Sequence, residues 1–462
     1  MFFGVPGLKK IAAGTVLLIT ASLALLSCGG SSSPNTHHTS GLKFRAFVFN
    51  TLSPGALGPA PVLNIIDATQ DVLSLDSISL GGSAAPPGAL VLFPDKAFTL
   101  VFSVNNSSLA TNSNITLVNN AREGVAGLSG GTGTATLPDV TQSIAVAPDN
   151  STAYSAVPNG TVGQNPPGAV EVLNLGAQSI AASIPVTGAQ SVVLSPNGNL
   201  VVAFGSSPDT VTLISPALIG TNNDPRTFVT SSSFDHPVWA VFSPDGTSAY
   251  VLNCGAECGG TAASIVALDM TFNPPPIKWT LPVPAATFGL LAGSSLFVAG
   301  TQPPSTPGGN TCAGAVPATI ATSCGELSVV NVNSNPGTII GSALITDGYH
   351  NRMALGALGQ LFIGSQNCTN ITAQTPDNTN NEVRGCLSIY NATNSKVVVP
   401  PQNGDATGIA PITGRLAVYV CQGGTFQIYD TSTDQLQTQQ LIDSFGNPIS
   451  ITGQALDVRL VD

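Results

Sequence analysis

Four short segments carry the side chains best able to do chemistry. They are LPDVTQ with Asp139, SFDHPVW with Asp235 and His236, TDGYHNRM with Asp347, Tyr349, His350 and Arg352, and NGDATG with Asp405. Carboxylates beside imidazoles bind divalent cations or polar ligands, and histidine also moves protons near neutral pH. In a chain with only 8% charged residues and 4 His, two His in similar surroundings stand out. The same residues also suit ordinary solvent-facing turns, in which Asp accepts hydrogen bonds from its own backbone, and both readings stay open. The run from Asp377 to Glu382 (DNTNNE) offers oxygen donors for Ca²⁺. It lacks the Gly and the spacing of an EF-hand loop and reads equally as a solvated loop. No P-loop or H-E-x-x-H motif suggests a nucleotide enzyme or a zinc hydrolase.

The surrounding chain narrows the choices. Its 462 residues are 43% hydrophobic and carry a formal net charge of −11, which excludes disorder, since that requires low hydrophobicity and high charge. Nucleic acid is excluded as a partner, because phosphate contacts need clustered Lys and Arg.

The amino terminus reads as an export signal: Lys9-Lys10, an apolar run from Ile11 to Leu26, then Leu25-Leu26-Ser27-Cys28. The run is about 16 residues, short of the ~20 that span a bilayer. Leu25-Leu26-Ser27-Cys28 resembles the bacterial lipobox, whose Cys is lipidated and becomes the mature amino terminus. The resemblance implies a signal peptide over residues 1–27 and a lipid anchor on Cys28. Residues 29–40 (GGSSSPNTHHTS) have the composition of a flexible tether, and His37-His38 reads as part of it. Gly29 after the lipid Cys favours the outer membrane by the same resemblance. The expected location is the cell envelope, on its periplasmic or its outer surface.

The positioning elements show as a repeat. ALVLFPDKAFTLVFS, SIAVAPDNSTAYSAV, SVVLSPNGNLVVAFG and VWAVFSPDGTSAYVLN place Pro94, Pro148, Pro196 and Pro244 roughly 50 residues apart, each in a tight turn between two strands. An apolar strand ending in Asp, Asn or Ser recurs at Asp67, Asn119, Asn174, Ser215, Asp269, Asn331, Asn391 and Asp430. A short side chain that bonds its own backbone ends a strand well. Each unit therefore reads as four strands, A to D, and such units cannot bury their faces alone.

SVVLSPNGNLVVAFG and WAVFSPDGTSAYVLN…SIVALD resemble the bacterial YVTN-type propeller repeat, most clearly from Thr141 to Ala285. The Pro-Asp turn is lost at Leu290–Gly293, Leu355–Ala357 and Pro411–Thr413. The resemblance implies an all-β fold, one β-propeller of four-stranded antiparallel blades over residues 41–462. Residues 43–82 lack an A strand, and ALDVRLVD at the carboxyl terminus supplies it, closing the ring. That count predicts eight blades, with seven as the alternative.

In such a ring the D-to-A and B-to-C connections share one rim, which places the four segments above at the channel mouth. The B-to-C loops from Thr301 to Gly325 and from Ser365 to Gly385 are long, as functional or disordered loops are. With Cys28 lipidated, the expected disulfides are Cys254 to Cys258, Cys312 to Cys324 and Cys368 to Cys386, each stapling its own loop. Cys421 remains as a quiet thiol. The cysteine spacings are not those of a zinc site.

The expected function is a non-catalytic, envelope-anchored module that binds a protein or glycan through its stapled face. The alternative, implied by likeness to lactonase propellers, is a hydrolase using Asp235, His236, Asp347, His350 and Arg352 around a metal or a general base. No cofactor is required; a divalent cation would belong to the second reading.

Overall fold

The four Pro segments are hairpin turns in the structure, a computed structural model that describes residues 39–52, 61–80, 88–103, 113–126, 133–302, 324–368 and 385–462. In each, the residue before Pro accepts a backbone hydrogen bond from the residue three positions on, as in Lys96 to Phe93 at 2.9 Å and Gly246 to Ser243 at 2.9 Å. The residue two places after Pro sits at positive φ: Lys96 at 58°, Asn150 at 57°, Gly198 at 74° and Gly246 at 71°. The strand-ending residues act as their chemistry suggests. Side-chain Oδ1 atoms of Asp67, Asn119, Asn174, Asp269, Asn331, Asn391 and Asp430 each accept from a backbone N–H two or three residues later.

The strands assemble into eight antiparallel four-stranded sheets, the blades of a β-propeller; in blade 2 the outer strand is in two pieces, Gly124–Val125 and Thr134–Thr136. The innermost strands of blades 1 to 8 are Ala455–Leu460, Gly88–Leu92, Ser143–Val146, Ser191–Leu194, Pro237–Phe242, Phe288–Ala292, Tyr349–Leu355 and Ala406–Pro411. Blade 1 closes the ring as the terminal segments require: Ala46 pairs with Leu460 and Val48 with Val458.

Among the described residues, eight apolar clusters hold the blades together, each built from two adjacent sheets. Phe47 and Leu63 of blade 1 pack with Leu90 and Val101 of blade 2, and Phe362 of blade 7 packs with Tyr429 of blade 8. Burial of large apolar side chains at about 25 cal/mol per Å² supplies the driving force.

Charged latches bridge the closure. Arg45 donates to Asp462 (Nη2 to Oδ1, 2.6 Å) and to the buried Glu123 of blade 2 (Nη1 to Oε1, 2.8 Å). Arg415 of blade 8 forks onto the buried Asp71 of blade 1 at 2.7 Å from each Nη, and the Tyr419 hydroxyl donates to the same carboxylate at 2.5 Å. Bidentate geometry is what makes such pairs specific.

Candidate binding site in the propeller channel

The innermost strands surround a cavity of about 440 Å³ lined by residues of every blade. It lies toward the end where the D-to-A and B-to-C connections meet. Four inner strands are bulged there: the pairing register skips one residue between Pro237 and Trp239, His350 and Arg352, Ala406 and Gly408, and Ala455 and Asp457. The skipped residues, Val238, Asn351, Thr407 and Leu456, all line the cavity. A bulge bends its strand and re-aims the side chains beside it.

These bulges place Arg352, Gly408 and Asp457 at equivalent positions in consecutive blades 7, 8 and 1. A Cβ on Gly408 would come 2.7 Å from the Asp457 Cα, so the middle position carries no side chain. Arg459 follows Asp457 by two residues, one pleat (about 7 Å) further along the strand. Burial pulls the Arg352 pKa down, the Asp457 charge pushes it up and the Arg459 charge pushes it down; the two guanidiniums share one electrostatic environment.

Both arginines also brace the ring. Arg352 donates from Nε to the Thr407 carbonyl (3.1 Å) and from Nη1 to the Asn351 carbonyl (3.0 Å). Arg459 donates from Nε to the Leu90 carbonyl (3.0 Å), from Nη1 to the Val458 carbonyl (3.1 Å), and pairs through Nη2 with Asp457 Oδ2 at 3.2 Å. Asp457 is fully buried and accepts further from the Leu90 and Val458 amides, each at 2.9 Å. Aromatic rings form another part of the wall: Trp239 and Phe288 lie 4.8 Å apart between centroids, and Tyr349 is half-exposed.

A brace crosses the rim beside the channel. The Cys254–Cys258 disulfide closes the short helical turn Gly255–Cys258 of blade 5. Glu257 within that turn accepts from the Thr301 amide of blade 6 at 2.7 Å, and the Thr301 hydroxyl donates to the Gly348 carbonyl of blade 7 at 2.7 Å. Burial drives the Glu257 carboxyl up to about 7, against the lowering effect of the Thr301 amide. Local desolvation at the channel wall and, secondarily, the Glu257 charge raise the pKa of Tyr349, although half of its surface stays exposed.

Of the residues singled out in the sequence, Tyr349 and Arg352 line the cavity. Asp235 accepts at Oδ2 from the Thr261 amide, the Thr261 hydroxyl and the Ala262 amide, and pairs at Oδ1 with His236 Nδ1 at 2.9 Å. Partial burial opposes its ionisation, but these bonds outweigh it and hold the carboxyl well below the usual range. Its surroundings are so close that a Cβ on Gly260 would meet Asp235 Oδ1 at 1.8 Å. This pair anchors the stapled turn.

His350 is buried inside blade 7, where its Nε2–H donates to the Thr346 carbonyl at 2.9 Å and Nδ1 has no partner; burial holds its pKa down to about 4. The backbone carbonyl of Asp347 accepts from the Ser365 hydroxyl, Asp405 Oδ1 accepts from the Asn367 amide, and Asp139 Oδ1 accepts from the Val140 amide. Among the described residues, no three His, Cys, Asp or Glu side chains gather as metal ligands.

The Cys368–Cys386 bond forms as expected, and Cys421 is a buried free thiol whose pKa burial pushes well up. Cys28, the Cys312 to Cys324 pairing and the Asp377–Glu382 run lie outside the residues or side chains described.

No protein-family description and no curated protein matches the chain. Among solved structures, it is similar to dihydro-heme d1 dehydrogenase NirN in complex with DHE, with TM-score 0.59, 10% identity, and coverage of 94% of this chain and 78% of that one. It is also similar to Kuenenia stuttgartiensis hydrazine synthase, with TM-score 0.52, 14% identity, and coverage of 77% and 98%. A 6-phosphogluconolactonase-like protein from Bacteroides uniformis aligns with TM-score 0.46, 14% identity, and coverage of 77% and 95%. At these identities the likeness to the first two shows the fold alone.

Sequence reading missed Glu257, Trp239, Asp457 and Arg459. Arg459 and Asp457 sit in the terminal strand recognised as the ring closure, and Trp239 in the fifth inner strand, so an inventory of inner strands would have flagged them. Glu257 carried one signal, its enclosure between two closely spaced cysteines.

Proposed function

We propose that this protein is a lipid-anchored envelope propeller, tethered through Cys28, that works as a binding module through the rim where its loops converge. The observation that carries this reading is the bridge from Glu257 through Thr301 to Gly348, which holds the disulfide-closed turn of blade 5 across blades 6 and 7. Such a brace gives a preformed surface, which lowers the ordering cost of binding. The partner class is an envelope protein or glycan. A direct test measures binding of the full chain to an array of purified bacterial envelope glycans and to isolated envelope proteins, beside a Cys254→Ser, Cys258→Ser variant. Selective binding that the double variant loses supports the reading; absence of any selective binding, or equal binding by the variant, overturns it. Mass spectrometry of the mature amino terminus tests the anchor: an unmodified Cys28 rejects it.

One observation favours a hydrolase as a second reading. Glu257, with a pKa of about 7 near Tyr349 and the channel, has the proton affinity a general base needs at neutral pH. This reading places the base at Glu257 instead of at His236 or His350. It fails if ester and lactone substrates turn over equally in wild type and Glu257→Gln.

A further inference from the structure

We propose that the channel cavity is a binding site for a small organic oxyanion, a carboxylate or phosphate carried on a flat apolar body, gripped by Arg352 and Arg459. This goes beyond the rim reading, since it concerns the interior of the ring, and each can fail without the other.

Three observations converge on it. The first is charge. In a chain of net charge −11, the only charged residues among those described along the cavity wall are two cations, Arg352 and Arg459. Asp457 offsets part of that charge, but its oxygens are already engaged by two amides and by Arg459.

The second is unused donor capacity. A guanidinium has five N–H donors in a planar fork. Arg352 gives two of them to the Thr407 and Asn351 carbonyls and makes no ion pair with a described residue; Arg459 gives two to the Leu90 and Val458 carbonyls and one to Asp457. These bonds fix each fork against the wall and leave three donors on the first and two on the second. Prefixed forks match the geometry of a carboxylate or phosphate and bind it with little ordering cost. Gly408, between the two arginine-bearing blades, adds no side chain beside Asp457.

The third is shape and wall chemistry. About 440 Å³ is the size of a small-molecule pocket. Trp239 and Phe288, 4.8 Å apart, offer an aromatic surface for the body of the ligand, while Gln142 and Gln190 supply amide groups.

Trp239 is one of only 2 Trp residues, and Trp279 is buried between blades 5 and 6. Tryptophan fluorescence is therefore a built-in reporter. Full-length protein in detergent is titrated with 4-nitrobenzoate, with 4-nitrophenyl phosphate and with uncharged 4-nitrobenzamide, whose nitro groups quench indole emission. The expected result is saturable quenching by at least one anion, at least ten-fold tighter than by the amide and weakening as salt rises. The anion that saturates identifies carboxylate or phosphate as the preferred group. Arg352→Gln with Arg459→Gln should cost at least ten-fold in affinity. Because both arginines brace the ring, Gln190→Glu serves as a second variant: it preserves shape, adds one negative charge to the wall and should weaken anion binding several-fold. No saturation by either anion up to 10 mM, equal quenching by the amide, or undiminished affinity in Gln190→Glu overturns the proposal.

Discussion

Glu257 Oε2 accepts a hydrogen bond from the Thr301 amide at 2.7 Å, joining the stapled turn of blade 5 to the second strand of blade 6. The carboxyl is desolvated in reaching that amide, and its pKa rises from 4.5 to about 7. A group whose protonated form is favoured by folding binds a proton in the native state that the unfolded chain has released. Its contribution to stability therefore falls as pH rises from about 4.5 to about 7 and is constant above. Glu257→Gln should show no such decline and should melt about 2 °C or more above wild type at pH 8, with the gap closing toward pH 4.5. Thermal melts of both proteins from pH 4.5 to 8 check this; parallel curves would contradict it.

His350 has the opposite dependence. Burial lowers its pKa from 6.5 to about 4, so the unfolded chain takes up a proton that the native state refuses. Stability should fall as pH drops from about 6.5 to about 4, and His350→Gln should flatten that limb whatever its absolute stability. Denaturant midpoints at pH 4.5 and 6.5 measure the slope in each protein.

The closure latch predicts a penalty for removing one partner only. Arg45→Ala leaves Glu123, whose side chain is 2% exposed, without its cation. Breaking a buried pair this way costs about 3 to 5 kcal/mol, and urea unfolding should show a loss of at least 2. Deleting residues 455–462 should be far worse, because the strand Arg45–Asn50 then becomes an open edge. The expected result is aggregation on size-exclusion chromatography, where a monodisperse folded peak would count against the latch.

The Cys254–Cys258 bond closes a loop of sequence separation 4, for which the chain-entropy account gives about 2 kcal/mol. Replacing both by Ser should lower the urea midpoint modestly and speed amide exchange at Thr301 and Tyr349 more than at Val48 or Val458. Uniform acceleration across the ring would mean that the turn is not a local brace.

The propeller was largely legible because its signals are local. Alternating apolar strands ending in Asp, Asn or Ser repeat eight times and proline turns four times, and each acts through neighbours a few residues away. The carboxyl-terminal strand was legible by elimination, since the first blade lacked an A strand. The site was less so. Asp235 and His236 read as ligands because their types fit, yet their partners, Thr261 and Ala262, sit in a turn whose path cannot be judged from spacing. His350 lies one residue from Tyr349, but alternation along the strand sends it into the blade while Tyr349 lines the channel.

The sequence by itself determined the order of strands, the closure of the ring and the loops stapled by Cys254–Cys258 and Cys368–Cys386, because hydrophobic period, turn chemistry and short cysteine separations are encoded along the chain; eight blades over seven came from the fold. Only the tertiary structure decided which side chains face the axis. Arg352 and Arg459 come from blades separated by blade 8 and share the channel wall because bulges shift the register of their strands and Gly408 leaves room between them. The Arg459 strand pairs with Arg45–Asn50 at the other end of the chain, and Arg352 lies 107 residues before Arg459, a juxtaposition that no local pattern specifies.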